Sequence, residues 1–79
     1  MKKEKILIIG GLGYIGFELC KLYSGESRYK DITVIDNNFF SSRVNQLKDW
    51  GFKFIQSDIL NSPILEKELQ KSDIVHHCA

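Results

Sequence analysis

Lys5-Ile6-Leu7-Ile8-Ile9-Gly10-Gly11-Leu12-Gly13-Tyr14-Ile15-Gly16 decides how this chain folds. Ile6 to Ile9 are apolar without a break, and three of the four are β-branched isoleucines, which favour an extended backbone. The run lacks the polar alternation of a half-exposed strand and reads as a strand buried on both faces of a parallel sheet. It leads directly into glycines, which let the backbone turn sharply and approach a ligand closely. From Tyr14 onward the spacing is helical, with Ile15, Leu19 and Leu22 or Tyr23 expected on one inward face. Strand, glycine turn and helix together form an anion cradle. First-turn N–H groups lack intrahelical partners, and the helix dipole favours negative charge there.

Two glycine spacings overlap in the turn, Gly11-x-Gly13-x-x-Gly16 and Gly10-x-x-Gly13-x-x-Gly16. Such spacing alone is a weak signal; it gains weight from an acidic residue about 20 positions further on. Asp36 stands 20 residues past Gly16, at the end of the apolar run Ile32-Thr33-Val34-Ile35. A carboxylate at that strand end can accept both ribose hydroxyls of an adenosine. It repels a 2′-phosphate, so NAD is expected in preference to NADP. The competing reading, a glycine turn that only packs a helix on a strand, is outweighed with strand, turn, helix, second strand and Asp36 all in place.

Length and composition set the bounds. At 79 residues the chain holds one domain at most. It is shorter than a doubly covered dinucleotide-binding domain requires. Hydrophobic residues make up 43% and charged residues 27%, an ordinary globular balance. The net charge of +1 provides no bulk field toward nucleic acid or membrane, and neither is expected as a partner. Lys2, Lys3 and Lys5, broken by Glu4, read as a solvated approach to the first strand. The apolar run Ile6 to Ile9 is far too short to cross a bilayer, and the basic start lacks the apolar core of a signal peptide. Cys20 and Cys78 give no disulfide framework, so a cytoplasmic location is expected.

Outward from the turn, the first strand covers about 5–9 and the first helix about 13–23, stopped at Ser24-Gly25. The second strand, 32–35, closes on Asp36. Asn37-Asn38-Phe39-Phe40-Ser41-Ser42 is a loop in which Ser41 or Ser42 is expected to cap a helix. That helix covers about 43–50, with Val44 and Leu47 inward, and Gly51 is placed for a left-handed cap. A third strand at 53–57 leads to Asp58-Ile59-Leu60. Ser62-Pro63 starts a helix to about 70, expected over a sheet edge, and Ile74-Val75-His76-His77 is the fourth strand. Long connections without hairpin signals predict an α/β fold, with crossover helices and a parallel sheet of about four strands in the order 3-2-1-4. The ligand crevice then lies beside the first strand, where the order reverses.

Four motifs in this order resemble the extended short-chain dehydrogenase/reductase family, and within it the NAD-dependent epimerase/dehydratase group acting on nucleotide sugars. Ile9-Gly10-Gly11-Leu12-Gly13-Tyr14-Ile15-Gly16 is similar to the group's Thr-Gly-Gly-Ala-Gly-Phe-Ile-Gly turn. Ile35-Asp36-Asn37 resembles its second strand end, Ser57-Asp58-Ile59 its Gly-Asp-Ile/Leu, and Asp73-Ile74-Val75-His76-His77-Cys78-Ala79 its Asp-Val-Val-x-His-x-Ala. The resemblance implies a partial Rossmann fold in which 10–16, Leu12 included, form the cofactor turn. Gly10, Gly13 and Gly16 would line the pyrophosphate, and the N–H groups of Tyr14 and Ile15 would donate to it. Asp36 would hold the adenosine ribose with Asn37 beside it. Asp58 and Ile59 would flank the adenine, and the Cys78 and Ala79 backbone would approach the nicotinamide-side ribose. Ile9 departs from the pattern, since the family usually carries threonine there.

The resemblance also implies a Tyr-x-x-x-Lys pair for catalysis, in which the lysine lowers the tyrosine's pKa. No tyrosine here has lysine four residues on: Tyr14 is followed by Glu18, Tyr23 by Ser27 and Tyr29 by Thr33. Residues 1–79 are therefore expected to be the N-terminal, cofactor-binding part of an epimerase or dehydratase, without its catalytic and sugar-nucleotide parts. A non-catalytic dinucleotide module or sensor of the same fold is the alternative, and a flavin dinucleotide site a third reading. An open fourth-strand edge suggests self-association. His76, His77 and Cys78 alternate faces, so at most two converge and no metal is expected. Cys20 reads as a small buried hydrophobe. Arg43, the residue that could favour NADP, reads as a solvated helix-start cation. Trp50 and Phe52 read as core, and Phe39-Phe40 is unusual for a loop.

Overall fold

The computed structural model describes residues 3–26, 29–58 and 63–78. Its elements run β1 (Glu4–Ile9), α1 (Tyr14–Tyr23), β2 (Lys30–Asp36), α2 (Ser41–Asp49), β3 (Lys53–Gln56), α3 (Pro63–Lys71) and β4 (Ile74–His77). The strands form one sheet in the order β3-β2-β1-β4. All three pairings are parallel, with Ile8 opposite Val34 on one side and opposite His76 on the other. This is the expected partial Rossmann arrangement. The chain steps outward from β1 to β3 and then returns past β1 to β4. With right-handed crossovers, that reversal sends α3 to the face opposite α1 and α2.

The apolar run of β1 is buried on both faces, as its lack of alternation requires. Ile6 and Ile8 join Ile32, Val34, Leu12, Cys20, Val44, Leu47 and Phe52 beneath α1 and α2. Leu7, Ile9 and Ile35 face the other way, where Leu65 of α3 packs against them. Thus α3 lies on a face of the sheet rather than over its edge, and none of its described residues is fully buried.

Two local expectations need correction. In α1 the fully buried residues are Gly16 and Cys20; Leu19 and Tyr23 pack half-buried against the same core as expected, while Ile15 is 72% and Leu22 is 78% exposed. The close seat of Gly16 on the turn sets the helix's rotation, and the larger side chains follow from it. In α2 the N-cap position belongs to Phe40, with no side-chain cap bond, and Ser41 is already helical. The other end of α2 is as expected. Gly51 takes φ 82°, its N–H donates to the Lys48 carbonyl at 3.0 Å, and the Phe52 N–H donates to the Leu47 carbonyl at 2.9 Å. That pair of bonds satisfies carbonyls the helix would otherwise leave open. Ser62 lies outside the described residues; Pro63 opens α3, where its missing N–H is harmless.

Candidate functional site

The glycine turn sits at the carboxyl ends of β1 and β2, held from beneath by side chains distant in sequence. Gly10 takes φ 78°, a conformation other residues adopt only under strain, and its N–H donates to the Ile35 carbonyl at 2.8 Å. Leu12 is gripped at both peptide groups. Its N–H donates to Asp36 Oδ2 at 2.9 Å, and its carbonyl accepts a hydrogen bond from the Arg43 guanidinium. Cys20 Sγ donates to the Gly11 carbonyl at 3.8 Å. Burial and the neighbouring Cys78 push the Cys20 thiol up to about 12, so it stays a protonated donor.

Above these anchors the turn is open. Gly13 is the N-cap of α1 and has no side chain with which to satisfy the first-turn N–H groups. Tyr14 is 80% exposed and Ile15 72%, so their side chains leave the helix end uncovered. A Cβ at Gly13 would meet only the Gly10 carbonyl oxygen, at 3.5 Å. At Gly16, by contrast, a Cβ would overlap that same carbonyl oxygen and lie 2.8 Å from the Gly11 Cα. Gly16 lets the helix touch the turn, and Gly13 leaves the turn open. These residues fit a pyrophosphate, which needs backbone donors at a helix N-terminus and close backbone approach.

Asp36 is 5% exposed, and both its carboxylate oxygens are engaged, Oδ1 accepting the Asn38 N–H at 2.9 Å. Each oxygen keeps a further lone pair, so the carboxylate can still accept a hydroxyl. Sequence reasoning missed that Asp36 is also the anchor of the turn. It also misplaced Arg43, which is half-buried rather than solvated, with its guanidinium carbon 5.2 Å from the Phe17 ring centre and 5.6 Å from that of Phe40. A signal existed: a cation in the first turn of a helix opposes the dipole and needs a partner.

Of the remaining candidates, Asn37 is exposed beside Asp36, and its carbonyl accepts from Gln56 Nε2 at 3.4 Å. Asp58 is exposed past the end of β3. Cys78 is half-buried against the first core cluster, its N–H donating to the Ile9 carbonyl at 2.8 Å. Ile59 and Ala79 lie outside the described residues. His76 accepts or donates a 2.8 Å bond with the Tyr23 hydroxyl, tying β4 to α1. Both cysteines are free. Among the described residues, no helix is long and apolar enough to cross a membrane.

Residues 7–79 match the 3-beta hydroxysteroid dehydrogenase/isomerase family. The chain belongs to that family. It is 39% identical over 82 residues to dTDP-D-glucose 4,6-dehydratase of Dictyostelium discoideum, covering 96% of this chain and 19% of that protein. It is 32% identical over 79 residues to UDP-glucose 4-epimerase of Mycoplasma genitalium, covering 98% of this chain and 23% of that one. Its fold superposes on the structure of dTDP-glucose 4,6-dehydratase from Bacillus anthracis in complex with NAD with a TM-score of 0.75, at 23% identity, over 96% of this chain and 26% of that one. Membership of the family and the names of these relatives bear out the resemblance to epimerases and dehydratases of the extended short-chain dehydrogenase/reductase type. The chain spans about a fifth to a quarter of the length of these proteins.

Proposed function

We propose that this chain is the NAD-binding portion of a nucleotide-sugar epimerase or dehydratase. One observation carries the reading: the turn is anchored from below by Asp36, Arg43 and Cys20, while the N-terminus of α1 above it has no side-chain cap. Relatives named as a dehydratase and an epimerase supply the substrate class, a nucleotide sugar bound by the intact enzyme. A nicotinamide, when bound, supplies a hydride acceptor for a sugar carbon. The chain's own residues bind and orient. The first-turn N–H groups of Tyr14, Ile15 and Gly16 receive the pyrophosphate, with Gly10, Gly11, Leu12 and Gly13 shaping the approach. Asp36 accepts the adenosine ribose hydroxyls beside Asn37. Asp58 would take the adenine's exocyclic amine, and by the family resemblance Ile59 would cover the ring. By the same resemblance the Cys78 and Ala79 backbone would approach the nicotinamide-side ribose. No residue in 1–79 has the Tyr-x-x-x-Lys arrangement, so the chain alone is expected to turn over no sugar nucleotide.

Calorimetric titration of the 79-residue chain with NAD, NADP and a flavin dinucleotide tests the reading. NAD is expected to bind most tightly, because the Asp36 carboxylate repels a 2′-phosphate. A chain that melts cooperatively but binds none of the three overturns the proposal, and preferential flavin binding replaces it. Exposed Ile74 and Val75 on β4, an edge strand among the described residues, support self-association, which sedimentation velocity checks directly.

A further inference from the structure

Arg43 stands on the first turn of α2, where the helix dipole disfavours a cation and no acidic side chain accompanies it. What holds it there is local. Its guanidinium donates to the Leu12 carbonyl and lies against the rings of Phe17 and Phe40, 5.2 and 5.6 Å from their centres. It shares Leu12 with Asp36, which takes the same residue's N–H. The guanidinium and the carboxylate therefore flank a single residue of the turn, at the end of β2 where the reading above places the adenosine ribose. A guanidinium free to move at that point would be a bidentate ligand for a 2′-phosphate. Held in this way, it is already committed.

Phe40 is the exposed half of that hold. It is 49% exposed at the N-cap of α2 and is not part of the buried core. Phe39 turns aside to meet Phe54 edge-on at 6.1 Å, so Phe40 alone of the loop pair covers the guanidinium. This accounts for an exposed aromatic in a loop that the fold does not otherwise require.

Resting on the dinucleotide reading, we propose that Arg43 and Phe40 determine cofactor selection. Arg43 acts as a clamp on the Leu12 carbonyl, and Phe40 keeps its guanidinium there and away from a cofactor's 2′-phosphate, so that NAD is selected over NADP. Phe17 is left out of the test because it also packs on Trp50, with ring centres 5.6 Å apart. The test is calorimetric titration of the 79-residue chain and its Phe40→Ala, Phe40→Leu and Arg43→Gln variants with NAD and with NADP. Phe40→Leu keeps bulk and removes the aromatic face.

Wild type is expected to prefer NAD. Both Phe40 variants are expected to shift the NADP-to-NAD ratio of dissociation constants toward NADP by about threefold, the size of one partly exposed cation–π contact. Arg43→Gln is expected to weaken NAD binding, and combined with Phe40→Ala it should abolish the gain in NADP binding. Phe40 variants that move both constants together and leave the ratio unchanged overturn the proposal, since that is what a merely structural role produces. A wild type that prefers NADP and loses the preference in Arg43→Gln also overturns it, by making Arg43 a phosphate ligand. A wild type that binds neither dinucleotide overturns the underlying reading instead.

Discussion

The two faces of the sheet are built differently. Under α1 and α2, nine of the described residues are buried in one cluster, and Phe17 and Trp50 extend it, Trp50 in tilted ring contact with both Phe17 and the buried Phe52. Under α3, three strand residues are buried and the helix contributes the half-buried Leu65, while Ile64 and Leu69 stay exposed. The glycine turn belongs to the first face: Leu12 and Cys20 are part of that cluster, and Arg43 enters from α2. A binding turn must be held in one shape before its ligand arrives, and the side of the fold that packs best is the side that holds it.

Several substitutions should break or sharpen that contrast. The largest effect is expected for Gly16→Val. A side chain there must push the Gly10 carbonyl aside, which should destabilise the chain by about 3 kcal/mol or more and abolish a cooperative urea transition. Next, Ile8→Ala on the first face should cost about 3 kcal/mol in urea unfolding, whereas Leu69→Ala on the second, 41% exposed, should cost below about 1 kcal/mol. Equal losses at the two positions would remove the contrast.

Asp36→Asn replaces a charge-assisted acceptor of the Leu12 N–H with a neutral one and is expected to cost about 1–2 kcal/mol. Calorimetry should show NAD affinity falling with it. Tyr23→Phe removes the hydroxyl bond to His76 that ties β4 to the first face, for about 1 kcal/mol in the same unfolding assay. The effect smallest at neutral pH is one that grows in alkali. Cys20 is raised from 9.0 to about 12 by burial and by Cys78, so the unfolded chain loses this proton before the folded chain does. Stability is therefore intact below pH 9 and falls between about 9 and 12. Melting temperatures of Cys20→Ala should decline less steeply over that window than those of wild type.

Much of this architecture is legible in the sequence, because the determinants are local and repeated. The unbroken Ile6–Ile9 run, the glycines after it, Asp36 at the next strand end and Gly51 after α2 each have one reading that agrees with the others. The strand order is that of the dinucleotide-binding fold to which those signals point. What stayed hidden depends on contacts between distant residues. In α1 hydrophobicity groups Ile15 with Leu19 and Tyr23, which do pack on the core, whereas the backbone contact of Gly16 sets a rotation that leaves Ile15 exposed. Propensity favours serine as the cap of α2, although the loop delivers Phe40 to that position. The second role of Asp36 and the clamp by Arg43 could not be read from spacing, since Leu12 lies 24 and 31 residues from them.

The N-terminus of α1 and the turn beside it are the proposed dinucleotide seat. Backbone amide NMR during titration of the chain with NAD tests it most directly. The largest saturable shifts are expected at Gly13, Tyr14, Ile15 and Gly16, followed by Asp36 and Asn37, with α3 little changed. Shifts concentrated on α3, or none at saturating NAD in a folded chain, would contradict it.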